Sequence, residues 1–383
     1  MRVLHVVRQF YPSVGGLEDF VLALARQQRK RGISAEVATL NRLTRGSGKR
    51  LSRRDIVHGV PVRRIGYFGS ARYPVAVGVL KELDDFDLVH VHAVDFFCDY
   101  LALMRFVHGK PLVLSTHGGF FHTAYARTLK KLFFSTVTRL SLTQYQRVVA
   151  NSVNDLDLFH RVTSDGRLVM IENGVNTDKF AGFGSLTFKP GIVFIGRFSV
   201  NKRLDRLVDV FDVIANEIPN ARLHIVGNDF DGLYTPLMQR IAGLPNGNKV
   251  ETHLGLSDEG LQDVMKECSF FMSASEYEGF GQTLVEAMSA GLLPIVNRIK
   301  SFETILAGAS FGLITDFSHP ANAAEEAITF MRQAEPHYQR LSEESIAGSA
   351  RYSWEGTEQR FAEVYRSVLG ARNVETVARM VQN

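Results

Sequence analysis

The chain reads as an α/β protein built from two Rossmann-like domains that face each other across a cleft. Three observations carry that reading. Short runs rich in Val, Ile and Leu recur along the 383 residues. They lack clean apolar–polar alternation, which suits strands buried on both faces. Helical patterns such as 17–31 and 202–217 separate the runs, and such alternation builds parallel sheets covered by helices. The series also restarts midway, at the Gly/Ser-rich stretch Ala181-Gly182-Phe183-Gly184-Ser185.

The first set of strand runs covers 2–7, 36–40, 61–66, 88–93, 112–117, 147–152 and 167–172. The second covers 192–197, 221–227, 250–254, 269–275, 293–298 and 312–315. With 181–185 as linker, the expected domains are 1–182 and 183–353. A last helical stretch runs from Trp354 to the end, and its own pattern does not say where it packs.

Two domains of ordinary size suit this length. A hydrophobic share of 45% with 22% charged residues suits a soluble protein with a full core. Cys98 and Cys268 lie far apart in apolar runs and read as reduced core residues of a cytoplasmic protein. No apolar run approaches the roughly eighteen residues of a membrane span. Val3–Val7 is too short for a signal peptide and Arg8 follows it. The chain is therefore expected neither to be exported nor to cross a membrane. Residues 1–182 hold 26 Lys and Arg against 15 Asp and Glu, and the remainder holds 18 against 25. A basic half joined to an acidic half suggests an anionic partner surface, nucleic acid or lipid. No zinc-finger, recognition-helix or RNA-binding motif supports nucleic acid.

The most informative stretch is Glu278-Gly279-Phe280-Gly281, with Glu286 eight positions after Glu278. A β-like segment leads into it and a short apolar helix follows, closed by Gly291. A strand turning into a helix start offers free N–H groups to a phosphate. The two carboxylates cannot serve that phosphate but can accept hydrogen bonds from sugar hydroxyls. Together these suit a nucleotide-sugar pocket. Gly196-Arg197 ends another strand, and Lys202 opens the next helix. The two cations can clamp a diphosphate and offset its growing charge as a sugar departs.

The first half has its own loops. Gly15-Gly16 opens a helix after the first strand and lets a ligand approach the backbone. It is not the dinucleotide fingerprint. His117 falls at the carboxyl end of a strand, followed by two glycines and His122, where open α/β sheets bind ligands. Lesser candidates are Asn173 in Glu172-Asn173-Gly174-Val175-Asn176, and Gly227-Asn228. Asp155-Leu156-Asp157 and Asp229-Phe230-Asp231 imitate the Asp-x-Asp metal motif, but the other signals outweigh them and no metal is assigned. In residues 125–140, Arg127, Lys130 and Lys131 interleave with Leu129, Leu132, Phe133 and Phe134. Two readings stand, an interfacial helix on an anionic membrane and a core-packed helix with a solvated cationic face. The basic loop 42–54 favours lipid contact.

The Glu-seven residues-Glu spacing resembles the donor-site signature of family 4 of the retaining nucleotide-sugar glycosyltransferases, which have the two-domain GT-B architecture. The resemblance implies that His117 and Glu278 meet the donor sugar, Glu286 the ribose, and Arg197 with Lys202 the diphosphate, assisted by the N–H groups of Phe280 and Gly281. It places Gly15 and Gly16 opposite that diphosphate and Gly227 near the base. It sets His122 and Tyr125 towards the acceptor, returns the helices after Trp354 to the first domain, and needs neither metal nor cofactor. Arg203 stands where the family usually has Gly, and Asn176 where it usually has Asp. Longer strings in the first half, such as His5-Val6-Val7-Arg8-Gln9-Phe10 and Thr116 through Ala124, are similar to the α-mannosyltransferases of xanthan- and acetan-type exopolysaccharide assembly. Those enzymes move mannose from GDP-mannose to cellobiose on a polyprenyl diphosphate through an α-1,3 bond. That implies a peripheral enzyme at the cytoplasmic face of the inner membrane. The alternatives are a UDP-sugar donor or lipopolysaccharide acceptor, a nucleotide-sugar epimerase, and a non-catalytic binding protein.

Overall fold

The computed structural model describes residues 1–13, 15–43, 50–69, 74–117 and 133–381, with side chains through residue 371. The chain divides into two compact units, residues 1–174 with 354–383, and residues 175–353.

The first unit holds strands β1 (Arg2–Val6), β2 (Ser34–Leu40), β3 (Arg54–Val57), β4 (Val60–Ile65), β5 (Phe68–Gly69), β6 (Pro74–Val75), β7 (Leu88–His92), β8 (Leu112–Ser115), β9 (Arg147–Ala150) and β10 (Leu168–Met170). Eight of them form one sheet in the order β10-β9-β8-β7-β1-β2-β4-β3, and β5 pairs with β6. Every pairing in the large sheet is parallel except β3 with β4. β1 and β7 are buried almost throughout, hence their near-continuous apolar runs. The expected strands are all present. β3, β5 and β6 were not expected: β3 is an exposed Arg-bearing edge strand without an apolar run.

Helix Gly16–Lys30 covers one face of this sheet with Phe20, Val21, Leu24, Ala25 and Gln28 buried. Glu18 and Asp19 sit in its first turn, and Arg29 and Lys30 in its last, as the helix dipole favours. Helix Trp354–Val381 shares that face, burying Phe361, Tyr365 and Val368 in the same core. The opposite face is filled by Phe86, Phe96, Phe97, Phe134 and Tyr145, among others.

The second unit contains β11 (Gly191–Ile195), β12 (Arg222–Gly227), β13 (Val250–Leu254), β14 (Phe270–Ser273), β15 (Leu293–Asn297) and β16 (Leu313–Thr315). They form one parallel sheet ordered β13-β12-β11-β14-β15-β16. Helix Leu204–Glu217 buries Leu207, Val208, Val210, Phe211 and Ile214 against it.

Two expectations need correction. The stretch 181–185 is not a linker, because the division falls after Gly174. Gly182 N–H and Gly184 N–H donate to the carbonyls of Ser289 and Ala290 at 3.0 and 2.7 Å. A Cβ on Gly184 would lie 2.5 Å from Ala290 O, so this glycine serves close packing. Phe134 does not face a membrane: it is buried, edge-on to Phe159 with centroids 5.2 Å apart. Residues 134–138 form a π-helical turn leading into helix Arg139–Leu142. Arg127, Lys130 and Lys131 lie outside the described residues.

Gly227 also has a packing role. A Cβ there would stand 1.8 Å from Gly196 O, where the ends of β12 and β11 nearly touch. That contact is with backbone, so neither side can yield cheaply. Gly227→Ala is expected to destabilise the second unit by about 3 kcal/mol, measurable by urea denaturation. A change below 1 kcal/mol would contradict the close approach.

Candidate active site

Each large parallel sheet reverses its winding once. In the second unit the reversal lies between β11 and β14, and the loops beyond their carboxyl ends diverge there. Open α/β sheets bind ligands at such a point. β11 leads into Gly196-Arg197, and β14 leads into Ser275-Glu276-Tyr277-Glu278. Glu278 Oε1 pairs with Lys202 Nζ and accepts from Ser275 Oγ at 2.8 Å. The two charged side chains are only 11% and 14% exposed, so each depends on the other. Asn201 ties the loops further: its Nδ2 donates to Tyr277 O at 2.9 Å, and Glu276 N–H donates to its carbonyl at 2.9 Å.

Helix Gln282–Ser289 starts at Gly281, which has φ 107° and supplies no side-chain cap. Only glycine suits that backbone, and a Cβ would also crowd Ile305 and Phe302 at 3.0 and 3.2 Å. The N–H groups of Leu284 and Val285 donate to Gly281 O, and those of Gln282 and Thr283 face an anion's side of the helix start. Arg197 rests its guanidinium over Phe230, 4.6 Å from the ring centroid. Glu286, one helical face further on, accepts from Gln282 Nε2 at 3.0 Å. Burial raises its pKa above the usual carboxylate range, against the pull of Gln282 and of Lys179. Phe280 packs at 5.5 Å from the ring of Tyr352.

In the first unit the reversal lies between β1 and β7. Gly15, extended at φ −176°, precedes helix Gly16–Lys30. The Glu18 carboxylate folds back over Gly15 and accepts from Ser13 Oγ at 3.2 Å. His117, with φ 50°, follows β8, and its backbone N–H donates to Asn151 Oδ1 at 3.2 Å. Asn173 lies in the loop after β10, and its buried Oδ1 has no partner among the described residues. His122 and Tyr125 lie outside the described residues.

Sequence reasoning missed what lies behind His117. His5 and His90 are register partners on β1 and β7, and His92 is two residues on. His117 Nε2 lies 3.0 Å from His92 Nδ1, and His92 Nε2 lies 2.9 Å from His5 Nδ1. His5 Nε2 reaches Gln28 Oε1 at 2.7 Å. Gln28 Nε2 donates to Tyr365 Oη at 3.2 Å, which meets His90 Nδ1 at 2.7 Å, and His90 Nε2 meets Ser115 Oγ at 2.9 Å. His5, His90 and His92 are close enough to suggest a metal site. Both nitrogens of each ring are already engaged in these contacts, so a metal would have to displace them. The signal was available only as His90-x-His92 on a strand beside His5, and it required the strand register.

The two Asp-x-Asp pairs serve the backbone and neighbouring side chains. Asp229 accepts from Leu233 N–H at 2.8 Å, Asp231 from Val200 N–H at 3.0 Å, and Asp155 from Thr116 Oγ1 at 2.8 Å. Cys98 and Cys268 are buried free thiols. A second His/carboxylate group, His224, Glu251 and His253, lies on β12 and β13 away from these loops.

The family model for glycosyl transferases group 1 matches residues 177–347, and that for glycosyltransferase family 4 matches residues 14–179. The chain is 42% identical to a GDP-mannose:cellobiosyl-diphosphopolyprenol alpha-mannosyltransferase of Xanthomonas oryzae, over 99% of this chain and 100% of that protein. The chain belongs to family 4 of the glycosyltransferases.

A protein of the same name from Komagataeibacter xylinus is 40% identical over 97% of this chain and 94% of its own. Among solved structures, a glycosyltransferase from Rickettsia africae superposes with a TM-score of 0.72 at 17% identity, covering 96% and 98% of the two chains. The fold is the two-Rossmann-domain GT-B architecture. Within this family 4 chain, Arg203 replaces the usual glycine yet keeps a glycine-like backbone, φ 49°. That conformation costs a non-glycine residue about 1 kcal/mol. Asp205 and Glu276 offset the cost by holding the guanidinium at 2.7 and 2.5 Å.

Desolvation pulls the pKa of His5 down to about 4 and that of His117 to about 3, and holds His90 and His92 well below 6.5. The unfolded chain protonates these rings as pH drops below 6.5, while the folded chain does not. Stability is therefore full above that value and is lost as pH falls towards 4. The expected slope is roughly 1.4 kcal/mol per pH unit for each histidine held neutral. Urea denaturation at pH 7.5, 6 and 5 checks it, and equal stability at all three would contradict a neutral ladder.

Proposed function

We propose that this enzyme moves mannose from GDP-mannose to cellobiose carried on a polyprenyl diphosphate, with retention of configuration and an α-1,3 linkage. The observation that carries a nucleotide-sugar reading is the Lys202–Glu278 pair beside the uncapped helix start at Gln282. The names of the two full-length relatives support the choice of mannose, guanine and lipid-linked cellobiose. In this reading the diphosphate takes the N–H groups of Phe280 and Gly281 and the charge of Lys202. Arg197 turns from Phe230 to join it. Glu278 then holds hydroxyls of the mannose, and Glu286 those of the ribose.

The acceptor hydroxyl oxygen bonds to the anomeric carbon on the face from which GDP departs. The bond from that carbon to the phosphate oxygen breaks, and the hydroxyl proton passes to that oxygen. No metal enters this scheme, because Arg197 and Lys202 meet the charge developing on the leaving diphosphate. An epimerase would act on GDP-mannose without an acceptor.

The lipid-linked acceptor implies contact with an anionic membrane, and the charge surplus of residues 1–182 suits one. Among the described residues, Leu103, Phe106 and Leu140 are 68%, 82% and 71% exposed. They border a recess of about 530 Å³ shared with Phe96, Tyr100 and Val137. Exposed apolar surface so grouped is a docking face rather than scatter. It replaces the buried Phe134 as the apolar part of the expected membrane contact.

Two outcomes follow. Purified enzyme should turn over GDP-mannose with the lipid-linked acceptor in EDTA, and Lys202→Ala should lower the rate by roughly 10²–10³-fold. Comparable turnover of UDP-glucose, or loss in EDTA restored by magnesium, would overturn the donor or the metal-free reading respectively. Phe106→Asp with Leu140→Asp should weaken sedimentation with anionic vesicles by at least about tenfold, since each buried apolar side chain contributes about 1.5–3 kcal/mol. Turnover of a short soluble acceptor should persist. Unchanged sedimentation would place the membrane contact elsewhere.

A further inference from the structure

The histidine ladder of the first unit ends in an amide, and an amide has a direction. Gln28 Oε1 can only accept, so His5 Nε2 at 2.7 Å carries the hydrogen of that contact. A neutral imidazole has one N–H, and burial keeps these rings neutral. His5 Nδ1 is therefore a lone pair, and the hydrogen in its 2.9 Å contact comes from His92 Nε2. The same count leaves His92 Nδ1 as an acceptor and makes His117 Nε2 the donor across 3.0 Å. His117 Nδ1 is left with a lone pair.

The other branch agrees. Gln28 Nε2 donates to Tyr365 Oη, the phenol hydrogen goes to His90 Nδ1, and His90 Nε2 donates to Ser115 Oγ. With the Gln28 amide as it stands, this polarity satisfies all six contacts. Turning the Gln28 amide by half a rotation would reverse every hydrogen in both branches, and His117 would then present an N–H outward. The amide cannot take up a proton, so the ladder sets a tautomer and does not conduct charge.

We propose that Gln28, His5 and His92 are positioning residues that fix the tautomer of His117, so that His117 Nδ1 accepts a hydrogen bond from a hydroxyl of the bound sugar. His117 is the half-buried end of the ladder, while His5, His92 and Gln28 are fully buried. Its ring is also fixed sideways, edge-on to Phe20 with centroids 4.7 Å apart. The backbone at φ 50° and the bond to Asn151 hold its direction. A ring so constrained offers one defined atom, and which hydrogen-bond role that atom plays is decided three residues away in space, at Gln28. The proposal rests on the sugar-transfer reading only for the identity of the ligand.

The test is the ¹⁵N spectrum of the full chain with labelled histidine at pH 7.5, His117 being assigned by the signals lost in His117→Gln. His5, His92 and His117 should each show a protonated Nε2 and an unprotonated Nδ1. Gln28→Leu should turn the His117 pattern into a mixture of tautomers and lower hexosyl transfer roughly tenfold. Leu24→Ala, a cavity in the same core, should leave the His117 pattern unchanged. A protonated Nδ1 on His117 in the parent, or an unchanged pattern in Gln28→Leu, would overturn the proposal. If Gln28→Leu does not fold, the parent spectrum decides. The spectrum needs no donor, so failure of the mannosyl reading would show in turnover alone.

Discussion

Parallel strands joined by right-handed crossovers can be added to a sheet on either side, but reversing the direction of addition leaves a gap at the strands where it occurs. In the second unit the chain builds β11, β12 and β13 outward, then returns to place β14 beside β11. In the first it builds β1, β2 and β4, then returns to place β7 beside β1. Helices cannot roof those two pairs from the carboxyl side. Arg197, Lys202 and Glu278 stand at one gap, and Gly15 and His117 stand at or beside the other. The site chemistry thus follows from a constraint on winding.

The structure buries polar groups in two ways. The second unit sets opposite charges against each other: Lys202 with Glu278, and Arg203 with Asp205 and Glu276. These pairs fix the cations in direction, and for Lys202 that limits reorganisation when an anion binds. The first unit has such pairs too, Arg63 with Glu82 and Arg360 with Glu172, but behind His117 it buries uncharged rings that satisfy one another. Charge in that core would cost several kcal/mol per ion, and a neutral hydrogen-bonded chain avoids it while remaining directional.

Much of this was legible beforehand. The strands announced themselves because burial on both faces demands unbroken apolar runs. Gly281 was legible because a strand-to-helix turn with positive φ needs glycine. The histidine ladder was not, since His5 and His90 are 85 positions apart and only register joins them. The division between units was misplaced because Gly182 and Gly184 look like linker residues, whereas Gly182 takes φ 69° and the missing side chain of Gly184 admits a neighbouring helix end. Gly227 looked like a ligand contact, but the carbonyl of Gly196 also requires it. Phe134 was misread because an interleaved basic and aromatic pattern has the same letters whether its aromatics face lipid or core.

The first unit is completed by the last helix of the chain. Trp354 packs against Phe20 and over Gly174, Arg360 pairs with Glu172 at 2.6 Å, and Tyr365 joins the hydrogen-bonded ladder. During synthesis the amino-terminal sheet therefore leaves the ribosome with one of its faces covered only in part, by helix Gly16–Lys30, and waits through the whole of residues 175–353. Apolar surface exposed over that interval invites wrong partners. The intervening unit can finish folding first, although the ribosome began with the other. The unit that translation begins is thus the one whose last element translation supplies at the end.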